Sequence, residues 1–153
     1  MRGIRESVFS PGRGVLVSRI LFVDDSRHIR EFWRREWERC GHQVTLAASG
    51  EEALQAAAEA VPDVAVMDLN LPGIDGVRAC TRLAELHPGL PVILYSSRLG
   101  DLSPSNSRRA FALVDKAAPI EELLGAVARA LGERTSAVPL SDARQAGRST
   151  GRA

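Results

Sequence analysis

The sequence is short of several residue types, and each shortage excludes something. It has two cysteines in 153 residues, Cys40 and Cys80, with no CxxC or Cys/His spacing. A disulfide framework or a structural zinc site is therefore not expected, and reduced thiols in a helical core are. No apolar window approaches the 18 or more residues of a membrane span. The best run, Val15 to Val23, is nine residues interrupted by Arg19 and followed directly by Asp24 and Asp25, which also disqualifies it as a secretory leader. There is no Walker loop and no dinucleotide fingerprint, and Gly12-Arg13-Gly14 is too little to cradle a phosphate. His28, His42 and His87 lack metal-ligand spacing. Lysine is nearly absent: Lys116 is the single lysine among 20 basic residues. A guanidinium and a compact ammonium are not interchangeable, so this one position stands out.

What is present is the composition of a folded domain: 44% apolar, 25% charged, net charge +1. The length suits one domain with tails. Residues 1–14 and 133–153 each carry a net charge of +2 and are rich in Gly, Ser, Pro and Arg, leaving −3 for residues 15–132. The expected organisation is a disordered basic extension over 1–14, a domain over 15–132 and a disordered tail over 133–153. The tail is too short and polar to fold as a DNA-binding unit. On this reading the domain stands alone, without direct DNA binding.

Across the domain, apolar runs and helical periods alternate. Ile20–Val23, Gln43–Ala47, Asp63–Met67, Pro91–Tyr95 and Phe111–Asp115 read as strands. The first helix places Ile29, Phe32, Trp33, Trp37 and Cys40 on one arc, with Glu36 intruding and Gly41 ending it. Ser49 and Glu52 have capping-box spacing before an alanine-rich helix. A third helix carries Val77, Cys80, Leu83 and Leu86, and a last one Ile120, Leu123, Leu124, Val127 and Leu131 before Gly132. Residues 98–109 should hold a fourth helix but contain Gly100, Pro104 and Ser105-Asn106-Ser107, so that helix is expected to be short, late-starting or partly melted.

Strands without polar alternation, separated by helices, imply an α/β doubly wound parallel sheet with helices on both faces. Crossovers are right-handed, and ligands bind beyond the carboxyl ends of the strands. With strand order 2-1-3-4-5, Asp24, Asp25 and Asp68 meet at adjacent strand ends, followed by Ser96 and Lys116. Three converging carboxylates repel unless a cation joins them. Hard oxygen ligands suit magnesium. A bound dianion would then meet metal on one side and ammonium on the other, the arrangement of phosphoryl transfer. Each residue also has a plain structural use. Asp24, Asp25 and Ser26 are typical helix caps, Asp68 and Asp75 typical turn formers, Lys116 a solvated charge and Ser96 a filler.

The stretches ILFVDDS, VMDLNLPGIDG, PVILYSS and LVDK, in this order over about residues 17–132, resemble the response-regulator receiver domain of bacterial two-component signalling. The resemblance implies a flavodoxin-like five-stranded sheet and a regulator rather than an enzyme. It makes Asp68 the phosphoacceptor, Ser96 the switch hydroxyl and Lys116 the lysine that pairs with a phosphoryl oxygen. Magnesium would be held by Asp25, Asp68 and the carbonyl of Asn70, with Asp24 acting through water. Asn70 and Arg98 would influence the lifetime of the acyl phosphate. The partners implied are a sensor histidine kinase or phosphotransfer protein and a downstream protein, in the cytoplasm, with the chain a monomer or weak dimer. Three departures from the family's pattern bear on output: Leu113 where an aromatic is usual, Ala117 where proline usually follows the lysine, and the degraded fourth helix. A receiver-like binding module read without phosphorylation is the alternative. A small hydrolase using Asp68 on free phosphoesters is a third, less favoured reading.

Overall fold

The structure, a computed structural model, describes residues 17–135, with side chains through residue 132. The expected extension over 1–14 and almost all of the tail lie outside the described residues. The elements are β1 (Arg19–Val23), α1 (Arg27–Arg39), β2 (Gln43–Ala47), α2 (Gly50–Glu59), β3 (Val64–Met67), α3 (Gly76–Leu86), β4 (Val92–Ser96), a 3-10 turn (Leu99–Asp101), α4 (Pro104–Arg109), β5 (Ala112–Asp115) and α5 (Ile120–Thr135). α5 runs past Gly132, three residues beyond the expected boundary; glycine in a helix costs about 1 kcal/mol but does not end it.

All five strands are parallel, in the order β2-β1-β3-β4-β5. Both faces are covered, which is why the strands are continuously apolar rather than alternating. Ile20, Phe22, Val64, Val66, Ile93 and Tyr95 point to one face, where they pack with Trp33 and Trp37 of α1 and with Leu123, Ala126 and Val127 of α5. Leu21, Val23, Ala65, Met67, Val92 and Leu94 point to the other, against Ala53 and Ala57 of α2 and Ala79, Cys80 and Leu83 of α3. The two tryptophans are each 2% exposed and anchor the first face. Truncating either would cost about 3–5 kcal/mol.

Local chemistry sets the helix ends. Ser26 Oγ accepts the Ile29 amide at 3.4 Å and Ser49 Oγ the Glu52 amide at 3.1 Å. Glu52 returns a bond to the Ala48 amide at 2.8 Å, one residue before the cap. Asp75 caps α3 through the Arg78 amide, at 2.9 Å. Gly41 has φ +94, the left-handed conformation that ends α1. α4 is six residues long and preceded by the 3-10 turn, as its composition predicts.

The apolar arcs read from sequence were too wide. Phe32 is 40% exposed and rests edge-on against Trp33, and Cys40 is an exposed cap rather than a core thiol. Leu86 and Ile120, at the ends of their helices, are exposed as well. Glu36 sits at the rim of α1, where it pairs with Arg39 at 3.2 Å.

At the opposite end of the sheet from the acidic residues, His42 Nδ1 accepts the Ser18 amide at 3.2 Å. Burial pushes the imidazole below its ordinary value of 6.5, against an opposing pull from the Asp63 charge. The unfolded chain therefore binds the proton more readily, and the stability contributed by neutral His42 is present above about pH 6.5 and lost as pH falls through the depressed folded value. Urea midpoints measured on either side of pH 6.5 should fall on the acid side in the wild type and fall less in His42→Gln. Parallel pH profiles for the two proteins would show that His42 has no part in it.

Candidate functional site

The sheet register assembles the site. Val23 pairs with Met67, so the residues that follow, Asp24 and Asp68, emerge side by side. The Asp68 amide donates to the Val23 carbonyl at 3.0 Å and the Asp24 amide to the Ala47 carbonyl at 3.1 Å, tying the turn starts to their neighbours. Ser96 pairs with Asp115, and the Lys116 amide continues that ladder to the Ser96 carbonyl at 3.1 Å. Four residues distant in sequence thus share one edge because each ends its strand or directly follows it.

Asp24, Asp25 and Asp68 each present a carboxylate oxygen within 4.8 Å of the others. Asp24 is fully buried and Asp68 is 5% exposed, whereas Asp25 faces solvent. Lys116 reaches into the group, with Nζ 2.6 Å from Asp24 Oδ2 and 2.9 Å from Asp68 Oδ2. Asp68 receives an aligned hydrogen bond from the ammonium; the contact to Asp24 is an ion pair whose angles fall short of one. Asp24 Oδ2 is consequently a buried carboxylate oxygen with no hydrogen-bond donor, while Oδ1 accepts the Ser26 amide at 2.8 Å. Burial raises the Asp24 pKa, and the neighbouring Asp68 charge adds to that, outweighing Lys116 and the Ser26 amide. For Lys116 burial works the other way, but contact with Asp24 and Asp68 prevails and holds its pKa above the ordinary value. One ammonium facing three carboxylates leaves negative charge in excess. That excess, on hard oxygen donors gathered within 4.8 Å of one another, fits a hard divalent cation.

Ser96 is fully buried, and its Oγ accepts the Arg98 amide at 3.0 Å. Asn70 is exposed, its amide donating to Asp68 Oδ1 at 3.2 Å. Arg98 turns outward to Asp101 at 2.8 Å. The Lys116–Ala117 bond is trans, like every described peptide bond. Leu113 is 40% exposed on β5.

Three supporting residues were not visible in the sequence. Arg30 of α1 donates to the Asp24 carbonyl at 2.8 Å. Glu51, in the first turn of α2, accepts the Ile74 amide at 3.2 Å and so holds the loop that follows Asp68. Tyr95 lies beneath the Lys116 ammonium, 5.8 Å from ring centroid to Nζ. Strand alternation could have suggested the last of these, since Tyr95 and Ser96 must face opposite sides of the sheet.

The response regulator receiver domain family matches residues 20–128. The chain belongs to that family. Among curated proteins it is similar to the response regulator MprA of Mycobacterium leprae, 37% identical over an alignment of 124 residues that covers 76% of this chain and 52% of that protein. It is also similar to the transcriptional regulatory protein AfsQ1 of Streptomyces coelicolor, 40% identical over 83 residues, 54% of this chain and 36% of the relative. The chain spans about half the length of the curated relatives it matches first. Among solved structures it resembles the response regulator TrrA of Thermotoga maritima in complex with Mg(2+)-BeF, with a TM-score of 0.71 and 30% identity over 75% of this chain and all of that one. NtrX of Brucella abortus matches with a TM-score of 0.73 and 27% identity, over 83% of this chain and 30% of that one. This receiver therefore has the flavodoxin-like fold that the resemblance implies, shared with CheY-like neighbours. Among the described residues, no helix is long and apolar enough to cross a membrane.

Proposed function

We propose that this receiver accepts a phosphoryl group on Asp68 from the phosphohistidine of a sensor histidine kinase or phosphotransfer protein. The observation that supports it most is the single lysine of the chain held between Asp24 and Asp68 at the rim of a three-carboxylate cluster. An Asp68 oxygen attacks phosphorus, an acyl P–O bond forms, the P–N bond breaks and the imidazole leaves with the electron pair. Lys116 turns from Asp68 to a phosphoryl oxygen, so its charge stays paired throughout. Ser96 Oγ already accepts the Arg98 amide, which leaves its O–H proton to donate to a second phosphoryl oxygen.

Asp25, Asp68 and the Asn70 carbonyl would hold magnesium directly, and Asp24 through water. When bound, the metal neutralises charge on the incoming phosphoryl group. Regulation then passes by protein contact to a downstream partner in the cytoplasm, with the receiver a monomer or weak dimer. The chain is a phosphoacceptor that assists its own phosphorylation and dephosphorylation.

A second reading, a binding module used without phosphorylation, draws on exposed Leu113 and the six-residue α4, since both lie where output is usual. Intact mass after incubation with acetyl phosphate and magnesium distinguishes the readings. Wild type should gain one phosphoryl adduct and Asp68→Asn none. A wild type that stays unmodified, and takes up no beryllium fluoride, would leave the binding module standing.

A further inference from the structure

A cation that must face Asp24 and Asp68 needs something behind it. Lysine carries a flexible four-carbon stem, and a free ammonium at a half-open edge would be drawn toward water. The Lys116 side chain is 19% exposed, and beneath it lies an aromatic face: Nζ is 5.8 Å from the centroid of the Tyr95 ring. That separation falls within the reach of a cation–π interaction, which strengthens as the cation loses water.

The ring is itself fixed. Tyr95 is 9% exposed on the α1/α5 face of β4. Trp33 meets it edge-on at 5.9 Å and Phe22 is tilted against it at 6.3 Å. Trp33 in turn stacks on Trp37 at 4.8 Å. The Tyr95 ring therefore cannot follow a moving ammonium, and acts as a stationary plate beside the acidic group. Ser96, the next residue, faces the opposite side of the strand, so this one dipeptide borders the site from both faces of the sheet.

We propose that Tyr95 is a positioning residue whose ring face keeps the Lys116 ammonium between Asp24 and Asp68, ready for a phosphoryl oxygen. The proposal rests on the phosphoacceptor reading for its consequence but not for the contact itself. Removing the ring frees the ammonium to sample solvent, so binding of a phosphoryl mimic weakens although the carboxylates are untouched.

The test uses magnesium with beryllium fluoride as the probe on the full chain, comparing wild type with Tyr95→Phe, Tyr95→Leu and Tyr95→Met. Phenylalanine preserves the ring and should retain affinity near wild type. Leucine and methionine should each lose roughly fivefold to thirtyfold, the range a partly desolvated cation–π contact spans. Two ring-deleting shapes are used so that one folded variant suffices, with thermal melts run in parallel. Because Lys116 is the only lysine, isotope-labelled lysine gives one set of side-chain resonances. Its methylene protons should lie upfield in wild type and Tyr95→Phe and move toward the unfolded-chain position when the ring is absent. Unchanged resonances and affinities in the ring-deleting variants would overturn the proposal. So would a Tyr95→Phe protein as weak as Tyr95→Leu, since the hydroxyl would then be the active group. If wild type binds no beryllium fluoride, the phosphoacceptor reading falls, and the lysine resonance alone decides whether the ring holds the ammonium.

Discussion

Gly76→Ala is expected to destabilise the fold by at least about 3 kcal/mol, the upper end of ordinary overpacking, and to disable the acidic site in whatever protein still folds. A Cβ on Gly76 would lie 2.0 Å from the Asp68 carbonyl oxygen, 2.7 Å from Leu69 Cα and 2.9 Å from the Asp68 carbonyl carbon. All three are backbone atoms, so no rotamer change relieves the clash. The backbone after β3 must retreat, and the Gly76 amide, which donates to the Leu69 carbonyl at 2.9 Å, retreats with it. Asp68 sits at the point of displacement. Gly100→Ala is the control, because a Cβ there meets nothing within 4 Å; its effect should stay within about 0.5 kcal/mol. Urea unfolding of both variants, with beryllium fluoride titration of any folded fraction, gives the answer. Equal stability of the two would mean that the α3 start is not packed against the end of β3.

Why glycine is required at residue 76 could not be read from the sequence, whereas the strand ends could. The difference is physical. A parallel sheet buried on both faces leaves an apolar run at each strand, and Ile20–Val23, Val64–Met67 and Val92–Tyr95 are such runs. Crossover handedness alone leaves several strand orders open. Under the order 2-1-3-4-5, Asp24, Asp68, Ser96 and Lys116 come to one edge at the carboxyl ends of their strands. Close approaches of backbone to backbone, such as Gly76 on Asp68, leave no compositional trace.

Helix faces were read less well for a related reason. Successive residues on a helix differ by about 100°, and a flat sheet covers only part of the circumference. Phe32 follows Glu31 and precedes buried Trp33, yet it falls beyond the covered stripe. Cys40 is the C-cap of α1 and Leu86 the last residue of α3, so the periodicity was carried to the ends of both helices, where the side chains are exposed. Long-range polar contacts were hidden for a third reason. The bonds from Arg30 to the Asp24 carbonyl and from the Ile74 amide to Glu51 depend on side-chain reach across elements, which periodicity does not encode.

Lys116→Met is expected to lower the stability of the metal-free protein by about 3 kcal/mol, the low end of what breaking a buried ion pair costs. Methionine keeps most of the stem's packing and deletes the charge. Asp24, fully buried, and Asp68, nearly so, then face each other and Asp25 with no cation among them. The low end of the range applies because the lysine side chain retains 19% exposure and water can enter as it leaves. Saturating magnesium should raise the melting temperature of Lys116→Met more than that of wild type, because in the variant the added cation is the sole counter-charge. Lys116→Met with Asp24→Asn should recover much of the loss, since one carboxylate fewer relieves the repulsion that the ammonium had offset. Lys116→Met alone should also fail to retain beryllium fluoride tightly even with magnesium, because the fluorine that stands in for a phosphoryl oxygen has lost its partner. A variant that melts with wild type in the absence of metal would mean the ammonium does not hold these carboxylates together. Equal magnesium shifts in the two proteins would mean that the metal does not bind among them.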